Sequence, residues 1–296
     1  MARPDFCARW RSALTLVVIS LAVAGTAEAE VYRQRTARGG LIVDLAYNSK
    51  QLKVQRNRWL TVYVPPGYEQ SRNGLPVLYL QDRQNLFSHL PFGNAGPRWN
   101  VIETVEKLIA EKRLRPTIIV GIDHAAVDRI EEYQHYTPAG RGYLEFLSKE
   151  LKPFIDRELR TSASRDQTFS GGSSLGANAA LGTLIEKPAQ FGGALIQSPA
   201  FWIAEQRVIA LAEQKLGSDV RVYLDAGDRE VAEIKDGTKA FYQLLLKRGK
   251  VAENWNAKVT PGPKLWHLIG SGGHNELDWG RRLGPALERL IGPPTE

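Results

Sequence analysis

Between Gly39 and Tyr68 apolar and polar residues alternate in short runs, Leu41-Ile42-Val43-Asp44-Leu45 and Trp59-Leu60-Thr61-Val62-Tyr63-Val64, the second closed by Pro65-Pro66-Gly67. A period of two bounded by Pro and Gly marks strands, so this stretch is expected to hold two or three antiparallel strands. After Tyr68 the rhythm changes. Short apolar runs at Val77–Leu80, Thr117–Gly121, Thr168–Ser170, Ala194–Ile196, Val220–Leu224 and Leu265–Ile269 alternate with helical patterns. The helices are expected near residues 99 to 113, 141 to 158, 175 to 187, 203 to 215, 231 to 249 and 278 to 291. Strands alternating with helices of ten to fifteen residues signal a parallel sheet covered on both faces. The fold class is therefore α/β: a mostly parallel central sheet with antiparallel N-terminal strands.

Residues 1–29 do not fit that rhythm. Arg3, Arg9 and Arg11 precede an apolar run from Ala13 to Ala24, and Ala27-Glu28-Ala29 follows as a small-x-small site. A run of about a dozen residues is too short to span a bilayer, which takes roughly 20. The segment reads as a Sec-type signal peptide cut after Ala29, with an uncleaved anchor as the alternative. The expected mature chain, 30–296, is one periplasmic or secreted domain with no stable membrane insertion. Its lone cysteine, Cys7, lies in the discarded segment, so no disulfide is expected.

Composition adds little and excludes much. The chain has 296 residues, 43% hydrophobic and 24% charged, which rules out collagen-like, low-complexity and disordered classes. Its net charge of +7 raises a nucleic-acid reading. The basic residues are scattered and the expected compartment holds little nucleic acid, so no nucleic-acid partner is expected and a mild attraction for anionic substrates or surfaces is preferred.

Chemistry concentrates at Gly172-Ser173-Ser174-Leu175-Gly176, a G-x-S-x-G between a short strand and a helical stretch rich in small residues. Such a strand–turn–helix setting places a serine on a strained turn, with glycines where side chains would collide and a helix N-terminus favouring negative charge. Ser174 is the candidate nucleophile; a glycine-rich connection without chemistry is the alternative. A serine hydroxyl needs a base and an orienting acid, expected later in the chain in the order Ser, acid, His. His89, His124 and His135 precede Ser174. His267 lies in a strand pattern, whereas His274 in Ser271-Gly272-Gly273-His274-Asn275 sits in a loop after the last strand and is preferred. The acid falls in Asp225-Ala226-Gly227-Asp228-Arg229-Glu230, where Asp225 reads as structural and Asp228 and Glu230 both stay open. The mature chain has no Cys, no His-x-His, no His-Glu-x-x-His, no phosphate loop and no dinucleotide fingerprint, so neither a metal nor an organic cofactor is expected.

From about Arg58 to Leu290 the chain resembles the esterase family of the α/β-hydrolase superfamily, the group with esterase D, feruloyl and acetyl-xylan esterases and enterochelin (enterobactin) esterases. Its landmarks are Leu75–Asp82, Gln84-Asn85-Leu86-Phe87, Val120-Gly121-Ile122, Arg129-x-x-Glu132-Tyr133 and Ser170–Gly176. They continue with Ser198-Pro199-Ala200-Phe201-Trp202, Asp225-Ala226-Gly227-x-x-Glu230 and Gly273-His274-Asn275-Glu276-x-x-Trp279. In this family the acid commonly stands three residues after the loop glycine, which selects Glu230. Two positions depart from the pattern: Arg83 stands where the oxyanion loop usually has Gly, and Ala177 replaces a common Gly after the elbow. The resemblance implies oxyanion donors at the backbone N–H of Leu175 and of Gln84 or Arg83, and substrate contacts at Arg83, Arg129 and Trp202. Arg83 would either draw an anionic substrate to the pocket mouth or stand as an ordinary solvated charge.

The expected activity is two-step acyl transfer by a serine carboxylic-ester hydrolase on a small-molecule or glycan ester. Siderophore-type or other small esters are preferred over feruloyl or acetyl-xylan substrates, because Asp82–Phe87 and His274–Trp279 look closer to the enterochelin-type branch. An acyltransferase with the same triad is the alternative from another class. A non-catalytic relative is disfavoured by an intact Ser174, Glu230 and His274.

Overall fold

The structure, a computed structural model, describes residues 31–90, 97–204, 207–248 and 264–294; the expected signal peptide lies outside them. The chain opens with β1 (Val31–Arg35), β2 (Leu41–Asn48) and β3 (Asn57–Val64), continues through β4 (Val77–Gln81), α1 (Val101–Ala110), β5 (Ile118–Ile122) and a single turn α2 (Arg129–Glu132). There follow α3 (Pro138–Glu145), α4 (Lys152–Glu158), β6 (Thr168–Ser173), α5 (Leu175–Glu186), β7 (Gly193–Gln197), α6 (Arg207–Lys215), β8 (Arg221–Gly227), α7 (Ala232–Lys247), β9 (Lys264–Gly270) and α8 (Glu276–Leu290).

All nine of these strands join one sheet in the order β1-β2-β3-β5-β4-β6-β7-β8-β9. The first three pair antiparallel, as does β3 with β5, and every pairing from β5 through β9 is parallel. The fold class expected from the alternation is thus the one observed. The polar strand β1, Val-Tyr-Arg-Gln-Arg, had no apolar run to reveal it, since as the sheet edge it buries little. The helix expected over 141–158 starts at Pro138 and passes through a wider π-helical stretch, Phe146–Leu151, before α4. Pro153, in the first turn of α4, has no N–H to bond back to the preceding turn, and an ordinary α-ladder cannot run unbroken past it.

Period two divides the parallel strands between two cores. Val77 and Tyr79 of β4, Ile118 and Val120 of β5 and Ala194 and Ile196 of β7 face a layer holding residues of α3, α4, α5, α6 and α7. Leu78, Leu80, Ile119 and Leu195 face the other layer, with Val101 and Val105 of α1 and Leu283 and Leu287 of α8. A strand wetted on neither side reads as a continuous apolar run, as these do. Because all the parallel strands point one way, the loops after β4 to β9 gather at one edge of the sheet, where chemistry in open α/β sheets is housed.

One buried ion pair ties the antiparallel part to that edge. Arg58 of β3 bonds Glu132 of α2, and the two side chains are 1% and 0% exposed. In Glu132→Leu the guanidinium would keep only the Val54 carbonyl at 3.3 Å. An uncompensated buried charge costs about 3–5 kcal/mol, so we expect a loss of that size in urea unfolding.

Candidate active site

The turn from β6 into α5 carries Ser174 at φ 54 and ψ −124, a backbone region few side-chain-bearing residues adopt. Ser174 N–H is held by the Gln197 carbonyl at 3.0 Å, and its own carbonyl accepts from Ala200 N–H at 3.2 Å. The two flanking glycines are sterically required. A Cβ on Gly172 would lie 2.7 Å from the Gly176 carbonyl carbon, and one on Gly176 would lie 2.8 Å from Asp82 Oδ2. Gly172→Ala therefore pushes backbone against backbone, and such overpacking costs about 1–3 kcal/mol. Lowered unfolding free energy together with lowered esterase activity is the expected outcome.

Two later loops converge on Ser174. His274 follows β9, and its Nε2 accepts from Ser174 Oγ–H at 3.0 Å. Its Nδ1–H faces Glu230 Oε2 at 3.1 Å. The His274 side chain is 33% exposed and that of Glu230 is 0% exposed. The chain of hydroxyl, imidazole and carboxylate thus runs from the solvent side inward. Burial alone would raise the Glu230 carboxyl, but hydrogen bonds from His274, Ser198 and the Gly227 N–H outweigh it and hold it below its ordinary value. A carboxylate kept ionised there can orient an imidazole and stabilise the imidazolium.

The loops that carry Glu230 and His274 are stitched to each other. Asp228 N–H donates to the Gly270 carbonyl at 2.8 Å, Arg229 N–H to the Gly272 carbonyl at 3.0 Å, and Asp228 Oδ1 accepts from Gly272 N–H at 2.9 Å. Asp228, the other contender, is thereby turned to the backbone of the base loop, leaving Glu230 on the imidazole. Asp278 at the start of α8 accepts from Gly273 N–H at 2.8 Å and Asn275 Nδ2 at 3.0 Å, while Asn275 Oδ1 caps the helix by accepting from Asp278 N–H at 3.1 Å. His267 is a sheet residue: its ring stacks on Tyr242 with centroids 4.3 Å apart, and burial lowers its pKa.

Behind Glu230 lies a group of side chains to which the sequence reading gave no role. Ser198, Trp279 and Arg282 surround the carboxylate, and Arg282 Nε reaches the fully buried Asp225 at 3.2 Å. Burial lifts Asp225 to about 6 against the pull of Arg282 and Gln197. The spacing of Trp279 and Arg282, three apart on one helix face, was the available signal.

The oxyanion-loop residues are placed differently from the expectation. Asp82, not residue 83, takes the left-handed backbone, with φ 61. Arg83 opens the following turn, so the glycine usual at that position is not needed here for a positive φ. Its side chain requires a correction: it is neither a cation at the pocket mouth nor a solvated charge. Arg83 is buried, donating from Nε to Thr61 Oγ1 at 2.6 Å and pairing with Asp44 at 2.8 Å and Asp123 at 3.3 Å. A neutralised, buried guanidinium offers little to an incoming anion. Arg129 is likewise committed, with Nε and Nη2 each 2.7 Å from the Asp82 carboxylate in a two-point pair. Trp202, 52% exposed in the loop after β7, stays open to contact. Leu175 is the first residue of α5 and Gln84 lies in the turn after Asp82.

The comparisons with known proteins agree with this architecture. The profile of the family described as "Putative esterase" matches residues 50–290. The chain is 29% identical over 266 residues to the uncharacterized protein YjcH of Bacillus subtilis, covering 86% of this chain and 99% of that one. A ferulic acid esterase structure superposes with a TM-score of 0.63 at 19% identity, over 85% of this chain and 98% of its own. The enterobactin esterase FES of Shigella flexneri, solved in the presence of enterobactin, superposes with a TM-score of 0.65 at 22% identity, over 83% of this chain and 58% of its own. Among the described residues, no helix is long and apolar enough to cross a membrane. With the family profile spanning most of its length, this α/β chain belongs to the Putative esterase family and is a carboxylic-ester hydrolase.

Proposed function

We propose that the protein is an exported serine esterase in which Ser174, His274 and Glu230 act as nucleophile, base and orienting acid. The observation that carries this reading is the unbroken contact from Ser174 Oγ through His274 to Glu230, at 3.0 and 3.1 Å, on a strained turn. Ser174 Oγ attacks the ester carbonyl while His274 Nε2 takes its proton, and the imidazolium so formed is stabilised by Glu230. The N–H groups of Leu175 and of Gln84 or Arg83 receive the developing oxyanion. His274 then protonates the leaving alcohol, activates water against the acyl-enzyme, and returns the proton to Ser174. Export is proposed from the Arg3 to Ala29 pattern alone.

For the substrate, siderophore-type or other small esters are favoured, supported by the likeness of the oxyanion-loop and base-loop segments to enterochelin-type esterases. Trp202 is the proposed substrate contact; Arg129, committed to Asp82, is the less available one. The test is product identification after incubation with an enterobactin-like trilactone, a feruloyl sugar and acetylated xylan, each with and without a sugar or lipid acceptor. Fastest opening of the trilactone with water as acyl acceptor is expected. Preferred release of ferulate or acetate would move the assignment to a carbohydrate esterase, and an acylated acceptor would make the protein an acyltransferase.

A further inference from the structure

Glu230 presents two oxygens, and only Oε2 meets His274. What fixes the other decides where the first one points. Oε1 accepts from the Ser198 hydroxyl, from Gly227 N–H at 3.0 Å and from Arg282 Nη2 at 3.4 Å. Ser198 Oγ itself lies 2.9 Å from Trp279 Nε1 and 2.9 Å from Arg282 Nη2. An indole N–H and a guanidinium N–H can only donate, and an ionised carboxylate can only accept. The hydroxyl has one proton and two lone pairs. Both lone pairs are taken by Trp279 and Arg282, which leaves its single proton one direction, toward Glu230.

Water does not compete for that proton, because Ser198 is 0% exposed. Its backbone is also held in an unusual place, at φ 46, with its N–H on the Asp225 carbonyl at 2.8 Å. Arg282 is fixed at its other end by Asp225, so it cannot turn away from the hydroxyl without depriving a second buried carboxylate of its cation, leaving only the hydrogen bond from Gln197 at 3.0 Å. Trp279 bears on the site twice, since its ring also stands edge-on to the His274 ring at 4.8 Å and 81°.

Resting on the triad reading above, we infer that Ser198 is a positioning residue for catalysis. Its hydroxyl, aimed by Trp279 and Arg282, locks the rotation of the Glu230 carboxylate so that Oε2 stays on His274 Nδ1. Ser198 touches no substrate and acts only through the acid.

The test uses the full mature protein and a short-chain p-nitrophenyl ester, with kcat, KM and thermal unfolding midpoints for Ser198→Ala, Ser198→Gly, Trp279→Phe and Ser198→Ala/Trp279→Phe. Losing a hydrogen bond to a charged group translates into a kcat lower by about 10- to 100-fold in Ser198→Ala, with KM unchanged. Ser198→Gly suits the left-handed backbone and removes the whole hydroxymethyl group, so the same fall in kcat is expected there as in Ser198→Ala. Trp279→Phe keeps a ring against His274 and removes one donor; its kcat falls severalfold alone and falls no further in the Ser198→Ala background. A purely structural Ser198 would give variants with lower unfolding midpoints and normal kcat below them, and that result overturns the inference. So would Ser198→Ala and Trp279→Phe effects that simply multiply. Ser174→Ala is run alongside: an active Ser174→Ala protein refutes the triad reading itself, whereas an inactive one with unaffected Ser198 variants refutes only the role of Ser198.

Discussion

Ser174→Ala lowers kcat toward a short-chain p-nitrophenyl ester by about four to six orders of magnitude, leaving the fold intact. The size of the loss follows from what is removed. Without Oγ there is no covalent route, and His274 Nε2 has no hydroxyl proton to take at 3.0 Å. What survives is the rate given by binding and by the oxyanion donors acting on water alone. Retention of structure is expected because the strain at φ 54 belongs to the backbone, held by the Gln197 and Ala200 contacts, and not to the hydroxyl. Mass spectrometry of the wild-type protein during turnover should show one acyl group, absent from the variant. Turnover by Ser174→Ala equal to wild type would remove Ser174 from the mechanism.

The second large effect separates two carboxylates that lie two residues apart. Glu230→Gln is expected to lower kcat by roughly 10³- to 10⁴-fold, since an amide in place of Oε2 no longer stabilises the imidazolium and allows the wrong tautomer of His274. Asp228→Asn keeps an oxygen for the Gly272 N–H at 2.9 Å, so its kcat should stay within about threefold of wild type. Steady-state kinetics on the two variants settles the assignment; a large loss at Asp228 with a mild one at Glu230 would reverse it.

How much of this was legible in the sequence depends on the kind of signal each residue leaves. The parallel strands announced themselves because both of their faces are buried. The proposed nucleophile and base were readable because their turns need Gly172, Gly176 and Gly272 at fixed offsets. Chain order then restricted the histidines to two, and a loop position chose His274 over His267. The choice of Glu230 needed the family resemblance, since loop spacing alone treats Asp228 and Glu230 alike. Arg83 misled for a definable reason. A lone Arg in a motif carries no information about its partners, and Asp44 and Asp123 come from strand and loop segments far away in sequence. The same blindness hid the contact between Ser198, visible only as a landmark, and Arg282, which spans 84 residues.

Ser174 and His274 stand 100 residues apart in the chain, and two whole strands, β7 and β8, lie between β6 and β9 in the sheet. A polypeptide emerging N-terminus first lays down the proposed nucleophile long before the proposed base exists, and the Arg282 and Trp279 contacts around Ser198 and Glu230 form only when α8 docks. Until the last helix seats, the serine has no partner to take its proton. On the proposed triad, a chain truncated before β9 carries the serine without its proton acceptor, so the appearance of ester hydrolysis on refolding is expected to time the final docking event rather than the collapse of the core.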